Sequence, residues 1–168
     1  MNLNKRILVA IDDSEASNRA LTYLATWLRG KNDFCVRLFH VLRPLPPELL
    51  EFPGSENLTE EEKLAEEKKT AQARWLEAAE DAARPVFTKA KTILQTAHVP
   101  TDNVETQVAA TESGRDVVTA ILEEAEGSRC RTVVVGRKSF SWFQELFQYH
   151  VGDDLVRRSQ GLTVWIVE

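Results

Sequence analysis

The sequence predicts an α/β protein built on a single open, parallel five-stranded sheet with helices on both faces. Five short apolar runs occur at residues 7–11, 36–41, 104–108, 132–135 and 163–167, and amphipathic helical patterns separate them. Strands that alternate with crossover helices favour parallel pairing, because each helix returns the chain to the same end of the sheet. The length of 168 residues fits one domain. We therefore expect a single domain over residues 1–168.

The five strands are predicted to differ in their position in the sheet. The first and fourth runs are almost continuously apolar, which is typical of central strands covered on both faces. The second and third runs alternate apolar and polar residues, which indicates more peripheral strands. The last run, Thr163–Val167, is predicted to be an edge strand, whose unpaired backbone groups can bond to a strand of another chain.

Three of the predicted helices follow from apolar residues at helical spacing. They cover residues 14–28, 113–125 and about 141–159. Gly30 follows the first and Gly161 the last, where glycine commonly ends a helix. The cap of the second is predicted to be Ser113 or Asp116.

The segment between the second and third strands is predicted to be a proline-rich loop followed by an acidic helical insertion, at about 44–81. Thr59 and Glu62 form a capping-box pattern, and an apolar stripe then continues to Ala97. A straight helix of that length would extend about 58 Å, whereas a domain of this size is only about 40 Å across. We therefore predict a bend or break at Pro85, which lacks a backbone donor.

The charge is unevenly distributed along the chain. The net charge is −5, but residues 48–81 contain eleven acidic and four basic residues, so the rest of the chain is +2. The acidic balance disfavours nucleic acid as a partner, and the insertion is expected to be a solvated face or else an interaction surface. No apolar run approaches the roughly 20 residues that span a membrane.

Two cysteines without C-x-x-C spacing, Cys35 and Cys130, indicate reduced thiols. Because disulfides are rare in the cytoplasm, we expect a cytoplasmic protein. No two histidines have metal-ligand spacing, and no nucleophile elbow or Walker A loop occurs. We therefore predict neither a metal site nor an assembled catalytic set.

Ligands of open parallel sheets bind beyond the carboxyl ends of the strands, which here places a crevice after the first, second and fourth strands. Asp12 either faces a ligand or belongs to a capped turn, in which Asp13 or Ser14 caps the first helix. Gly136 permits close backbone approach, and Arg137 and Lys138 add positive charge. The alternative is a turn glycine followed by two solvated basic side chains.

Three segments resemble the universal stress protein family: residues 7–17, Phe39-His40-Val41 and residues 133–137. The resemblance extends over nearly the whole chain. It implies a Rossmann-like, adenine nucleotide α-hydrolase-like domain with strand order 3-2-1-4-5 and a role in stress survival. It also implies dimerisation through the last strand, Thr163–Val167. Some members of the family bind ATP and others do not.

ATP-binding members carry the motif Gly, two residues, Gly, nine residues, then Gly with Ser or Thr. Read without gaps, this chain has Gly136, Ser139 and the pair Tyr149-His150. Ser139 adds a Cβ where the backbone must approach phosphate, Tyr149 adds a large ring, and His150 replaces a hydroxyl. Aligning the last glycine of the motif with Gly152 would need three extra residues in the spacing. It would also place the carboxylate of Asp153 where the motif has Ser or Thr beside the phosphate.

The resemblance and the altered motif lead to two main hypotheses. The first is a non-enzymatic homodimer that acts through protein–protein contacts with an unknown partner and has a degenerate nucleotide site without a cofactor. The second is an ATP- or AMP-binding sensor, possibly a slow ATPase. In it Asp12 and Val41 face adenosine, and the phosphates are held by Gly136, Arg137, Ser139, His150 and Val151. A flavoprotein subunit, a third alternative, is disfavoured by the small size and the absence of a second domain.

Overall fold

A computed structural model shows a five-stranded, all-parallel sheet of order β3-β2-β1-β4-β5, which confirms the predicted fold class. The structure describes residues 5–51, 57–110, 117–141 and 150–168. The strands are β1 (Arg6–Ala10), β2 (Cys35–Val41), β3 (Val104–Ala109), β4 (Thr132–Gly136) and β5 (Thr163–Val167). The helices of the described residues are α1 (Glu15–Leu28), α2 (Pro47–Leu50), α3 (Leu58–Thr96), α4 (Val117–Gly127) and α5 (Val151–Arg158), with a 3₁₀ turn at Thr101–Asn103.

Both faces of the sheet are covered, and the alternation of side chains along β1 shows how. Ile7 and Val9 point to the face covered by α1 and the second half of α3, whereas Leu8 and Ala10 point to the face covered by α4 and α5. These four side chains are almost completely buried. The continuous apolar run of the first strand therefore reflects a central position, as predicted.

Helix α3 is continuous from Leu58 to Thr96, so the chain does not break at Pro85, and the predicted bend there stays a prediction. A proline removes one backbone donor, but packing holds the helix on both sides of it. After Pro85, Ala90 and Leu94 are buried against the sheet. Before it, Gln72 Nε2 donates to the Leu49 carbonyl at 2.7 Å.

The start of α3 also differs from the prediction. Asn57, and not Thr59, is the N-cap, since the Asn57 side chain accepts a hydrogen bond from the Thr59 N–H at 3.1 Å. The charged residues Glu60, Glu62 and Glu66 of the first turns are exposed, as expected of a solvated face. Among the described residues, no helix is both long and apolar enough to cross a membrane.

The last helix is described only over Val151–Arg158, with His150 at its N-cap. Residues 142–149 of the predicted helix, which include Tyr149, lie outside the described residues, as do Ser113 and Asp116. Gly30 and Gly161 have φ angles of +73° and +71°. These left-handed conformations are the reason that glycine follows α1 and α5.

An ion-pair network ties β1, β2, β3 and α4 together near the amino ends of the strands. Glu105 on β3 contacts Arg6 at 2.7 Å and Arg37 at 2.8 Å, and Arg37 also pairs with Glu124 of α4. The hydrogen bond to Arg6 lowers the pKa of Glu105 and raises the pKa of Arg6. The network anchors the end of α4 at the amino ends of the strands, whereas the predicted crevice lies at their carboxyl ends.

Candidate functional site

The crevice at the carboxyl end of β1 is organised by Asp12, whose side chain is only 6% exposed. Its Oδ1 accepts hydrogen bonds from the Ser14 N–H at 3.1 Å and the Ser14 hydroxyl at 2.5 Å. Its Oδ2 accepts from the Phe140 N–H at 2.5 Å. Asp12 therefore joins the turn after β1 to the loop after β4.

Ser14 is the N-cap of α1, because its hydroxyl accepts a hydrogen bond from the Ser17 N–H at 3.1 Å. Asp13 is exposed and does not cap the helix. Of the two caps that the sequence left open, Asp13 and Ser14, the structure shows Ser14.

Phe140 follows Gly136 by four residues, in the loop after β4. Its side chain is fully buried in the cluster that contains Ala10, Val41 and Val135, which lie at the carboxyl ends of β1, β2 and β4. Its φ angle is +58°, a left-handed conformation that costs a non-glycine residue roughly 1–2 kcal/mol. Burial of the ring and the bond to Asp12 stabilise this conformation.

The residues predicted to hold phosphate are packed against protein atoms. A Cβ built on Gly136 would lie 2.4 Å from the Ala16 carbonyl oxygen and 2.7 Å from the Ser139 hydroxyl. Ser139 is 3% exposed, and its hydroxyl has no hydrogen-bond partner among the residues that the structure describes. Val151 is buried in the same cluster as Phe140.

The two basic residues of the predicted site, Arg137 and His150, are placed differently. Arg137 forms ion pairs with Asp153, at 3.4 Å, and with Glu168. His150 is half-buried at the start of α5. The positive charge of Arg137 is therefore partly neutralised within the chain.

On the other face of the sheet, an open cleft of about 620 Å³ lies between the ends of β1 and β2 and helix α3. Its volume is in the range of small-molecule sites. Its charged and aromatic lining comes from Asp12, Asp13, His40, Arg43, Trp75 and Lys89, beside the apolar Val41. The His40 ring is held by contact of its Nδ1 with the Ile11 carbonyl at 2.8 Å.

The structure thus divides the predicted site. Asp12 and Val41 line the open cleft, whereas Gly136, Ser139 and Val151 are buried and do not line it. The sequence did not indicate Trp75 and Lys89 of α3 as site residues. Trp75 belongs to an apolar helical stripe, and such a stripe is equally compatible with packing in the core and with lining a cleft. In the described part of the chain, no group of three or more His, Cys, Asp or Glu side chains could hold a metal ion.

Comparison with known proteins identifies one family and many structures of the same fold. The profile of the Universal stress protein family matches residues 3–168. A universal stress protein solved in complex with cAMP is 17% identical, with a TM-score of 0.61 and coverage of 98% of this chain and 97% of that one. No curated protein sequence matches the chain.

Two further structures agree with the first. A universal stress protein family member from Burkholderia pseudomallei is 16% identical, with a TM-score of 0.62 and coverage of 99% and 98% of the two chains. The universal stress protein from Archaeoglobus fulgidus in complex with dAMP is 17% identical, with a TM-score of 0.52 and coverage of 97% of each chain. At these identities the likeness shows the shared fold.

Proposed function

Because the chain belongs to the universal stress protein family, we propose that it is a non-enzymatic stress-response dimer that acts through protein–protein contacts. Its nucleotide site is degenerate. The observation that carries this proposal is the bond from the Phe140 N–H to Asp12 Oδ2, together with complete burial of the Phe140 ring. The chain itself occupies the part of the crevice where the family's motif would hold phosphate.

Three features of the loop after β4 support a filled phosphate region. One Cα hydrogen of Gly136 points at the backbone of Ala16 in the first turn of α1, so the lack of a side chain allows the helix to pack closely. Ser139 is buried beside it, and the charge of Arg137 is paired with Asp153 and Glu168. In this proposal the buried Phe140 ring and the paired Arg137 leave no open space for a triphosphate beside Gly136.

The edge strand β5 supports dimerisation. Thr163 donates its N–H to the Arg131 carbonyl, and the Val167 carbonyl accepts from the Arg137 N–H, both at 2.8 Å. Because the backbone N–H and C=O groups of successive residues in a strand point to opposite sides, those of Val164 and Ile166 point away from β4. An antiparallel pair of β5 strands about a twofold axis would satisfy these groups.

Aromatic side chains of α1 adjoin this edge. The Trp165 ring of β5 packs edge-to-face with Trp27 at 5.2 Å and Tyr23 at 6.2 Å between ring centroids. Trp27 is 40% exposed and Tyr23 56% exposed. Aromatic side chains are enriched at protein interfaces, so this cluster extends the surface that a second copy would cover.

Val164→Pro is expected to convert the dimer into a monomer at micromolar concentration. The proline removes an N–H that points to the partner strand, while the bonds from β5 to β4 keep their donors. Val164→Ala is the matched control, since it shortens the side chain and retains the N–H. Size-exclusion chromatography with light scattering measures the mass. A monomeric wild-type protein, or a dimeric Val164→Pro variant that is folded, would contradict the proposal.

A second candidate function is nucleotide binding, which the open cleft favours. Asp12 and Val41 lie on that cleft together with Trp75, Arg43 and Lys89. An aromatic ring can stack on a base, and two cations can attract phosphate. Relatives of the same fold were solved in complex with cAMP and dAMP. In this hypothesis a mononucleotide occupies the cleft beside α3, and the loop after β4 keeps its packing.

Freshly purified wild-type protein is expected to release no stoichiometric nucleotide on denaturation, measured by absorbance and mass spectrometry. Phe140→Gly should then bind ATP at least about tenfold more tightly than the wild type, because it opens the filled region and relieves the left-handed strain at φ +58°. Phe140→Leu, which keeps most of the side-chain volume, is the control and should bind like the wild type.

Stoichiometric ATP or AMP from the wild type would overturn the first candidate in favour of the second. Lys89→Gln then locates the nucleotide, because it weakens binding only if phosphate lies in the cleft. Incubation with ATP and assay of released phosphate tests the slow ATPase directly.

A further inference from the structure

A second cavity of about 620 Å³ lies at the end of the sheet opposite the cleft. It is near the amino ends of β4 and β5 and between the ends of α4 and α5. It is remote from Asp12, which lies at the carboxyl end of β1. Its lining combines three arginines with one carboxylate and an apolar floor: Arg129, Arg131 and Arg158, Glu126, and Leu122 and Leu162.

Several terminal carbonyls of α4 and α5 are paired within the backbone. At the end of α4, the Glu124, Ala125 and Glu126 carbonyls accept backbone hydrogen bonds of 2.8–3.0 Å from the Ser128, Cys130 and Arg129 N–H groups. At the end of α5, the Leu155 carbonyl accepts from the Ser159 N–H at 2.8 Å. These carbonyls are therefore paired without any guanidinium.

The cavity has an excess of positive charge within an acidic protein. Three arginines face one carboxylate, Glu126, although the whole chain has a net charge of −5. Arg158 pairs with Asp154 at 3.2 Å and also donates to the Thr119 hydroxyl, so its charge is already engaged within the chain. The guanidinium of Arg131 is exposed and has no hydrogen-bond or ion-pair partner within residues 5–51, 57–110, 117–141 and 150–168.

The floor of the cavity is apolar. Ala125 and Cys130 are at most 1% exposed, and Leu122 and Leu162 are partly buried against the same core cluster. Burial raises the pKa of the Cys130 thiol, so that the floor carries no charge near neutral pH. An apolar floor beneath a rim of guanidinium groups matches a molecule with one anionic end and one apolar end.

We propose that this cavity binds a small amphipathic oxyanion, a carboxylate or a phosphate monoester that carries an apolar tail. The planar guanidinium fork matches both anions in geometry, and the floor between Leu122 and Leu162 accepts the tail. The site is independent of the crevice at Asp12, so that it can be present whether or not the crevice binds nucleotide.

The test is titration of the ¹⁵N-labelled full chain with four probes: octanoate, octyl phosphate, octanol and inorganic phosphate. Octanoate, octyl phosphate or both should shift the amide signals of Cys130, Arg131 and Leu162 and bind about tenfold more tightly than octanol and inorganic phosphate. The two amphipathic probes distinguish a carboxylate site from a phosphate site.

Arg131→Gln should weaken binding of the preferred probe at least about fivefold, while its thermal unfolding matches that of the wild type. Arg157→Gln is the matched control, because Arg157 is an exposed neighbour on α5 that does not line the cavity. Arg129→Gln provides a second variant of the rim. If octanol binds as tightly as both octanoate and octyl phosphate, the anionic group plays no part and the proposal is overturned. It is also overturned if Arg131→Gln binds the preferred probe as tightly as the wild type, or if the amide shifts are confined to another surface.

Discussion

Gly136→Ala is expected to lower the free energy of unfolding by about 3 kcal/mol, a large cost for one methyl group. The added Cβ would lie 2.4 Å from the Ala16 carbonyl oxygen and 2.5 Å from its carbonyl carbon. Both are backbone atoms of the first turns of α1, so no side chain can rotate to make room. Helix α1 would have to move away from β4, and the apolar contacts between them would be lost.

Gly127→Ala is the matched control for this substitution. A Cβ at Gly127, the last residue of α4, would meet no atom within 4 Å, and alanine is favoured over glycine in a helix. This variant should be as stable as the wild type or slightly more stable. Urea denaturation followed by circular dichroism measures both. Equal urea midpoints for Gly136→Ala and the wild type would show that α1 does not pack on β4 as described.

The second large effect is expected for Asp12→Asn, which should cost about 2–3 kcal/mol of unfolding free energy. The carboxylate accepts from the Ser14 and Phe140 N–H groups through different oxygens. An amide has only one oxygen, so its NH₂ group would face one of these donors. Because Asp12 is buried, water cannot fully compensate the unpaired group.

Asp13→Asn tests the same chemical change one residue away, at an exposed position, and should alter stability by less than about 0.5 kcal/mol. Urea midpoints give the difference, and hydrogen exchange of the Phe140 amide reports the bond directly, since it should exchange faster only in Asp12→Asn. If the two variants are equally stable, Asp12 does not hold the loop after β4, and the proposal of a filled crevice loses its main support.

The sequence predicted the sheet well because its signals are local. Apolar runs and helical spacing indicated the strands and the order of the elements, and residues 7–17 with residues 133–137 carried the family resemblance. The same local reasoning left open a bend or a break at Pro85, and the helix continues through that position without a break. The packing of α3 on the sheet and on α2 involves residues far apart in sequence, and no pattern within α3 reveals it.

The predicted site also combines residues that local sequence signals indicated with contacts that only the folded chain reveals. The sequence indicated Asp12, Val41 and Gly136 as residues at the carboxyl ends of strands, and the structure places them there. It could not reveal the hydrogen bond between Asp12 and the Phe140 N–H, because the two residues are 128 positions apart along the chain. The cleft wall formed by Trp75 and Lys89 likewise depends on where α3 crosses the ends of β1 and β2.

What the sequence by itself determined is the parallel α/β class, the positions of the strands and the family, all of which depend on residue types and spacings along the chain. What the tertiary structure decided is the role of those residues: Asp12 as a bridge, Gly136 as a packing contact, and Arg131 as the rim of a separate cavity. Burial and hydrogen bonding between distant segments set these roles, because a side chain's free energy depends on the atoms that surround it after folding.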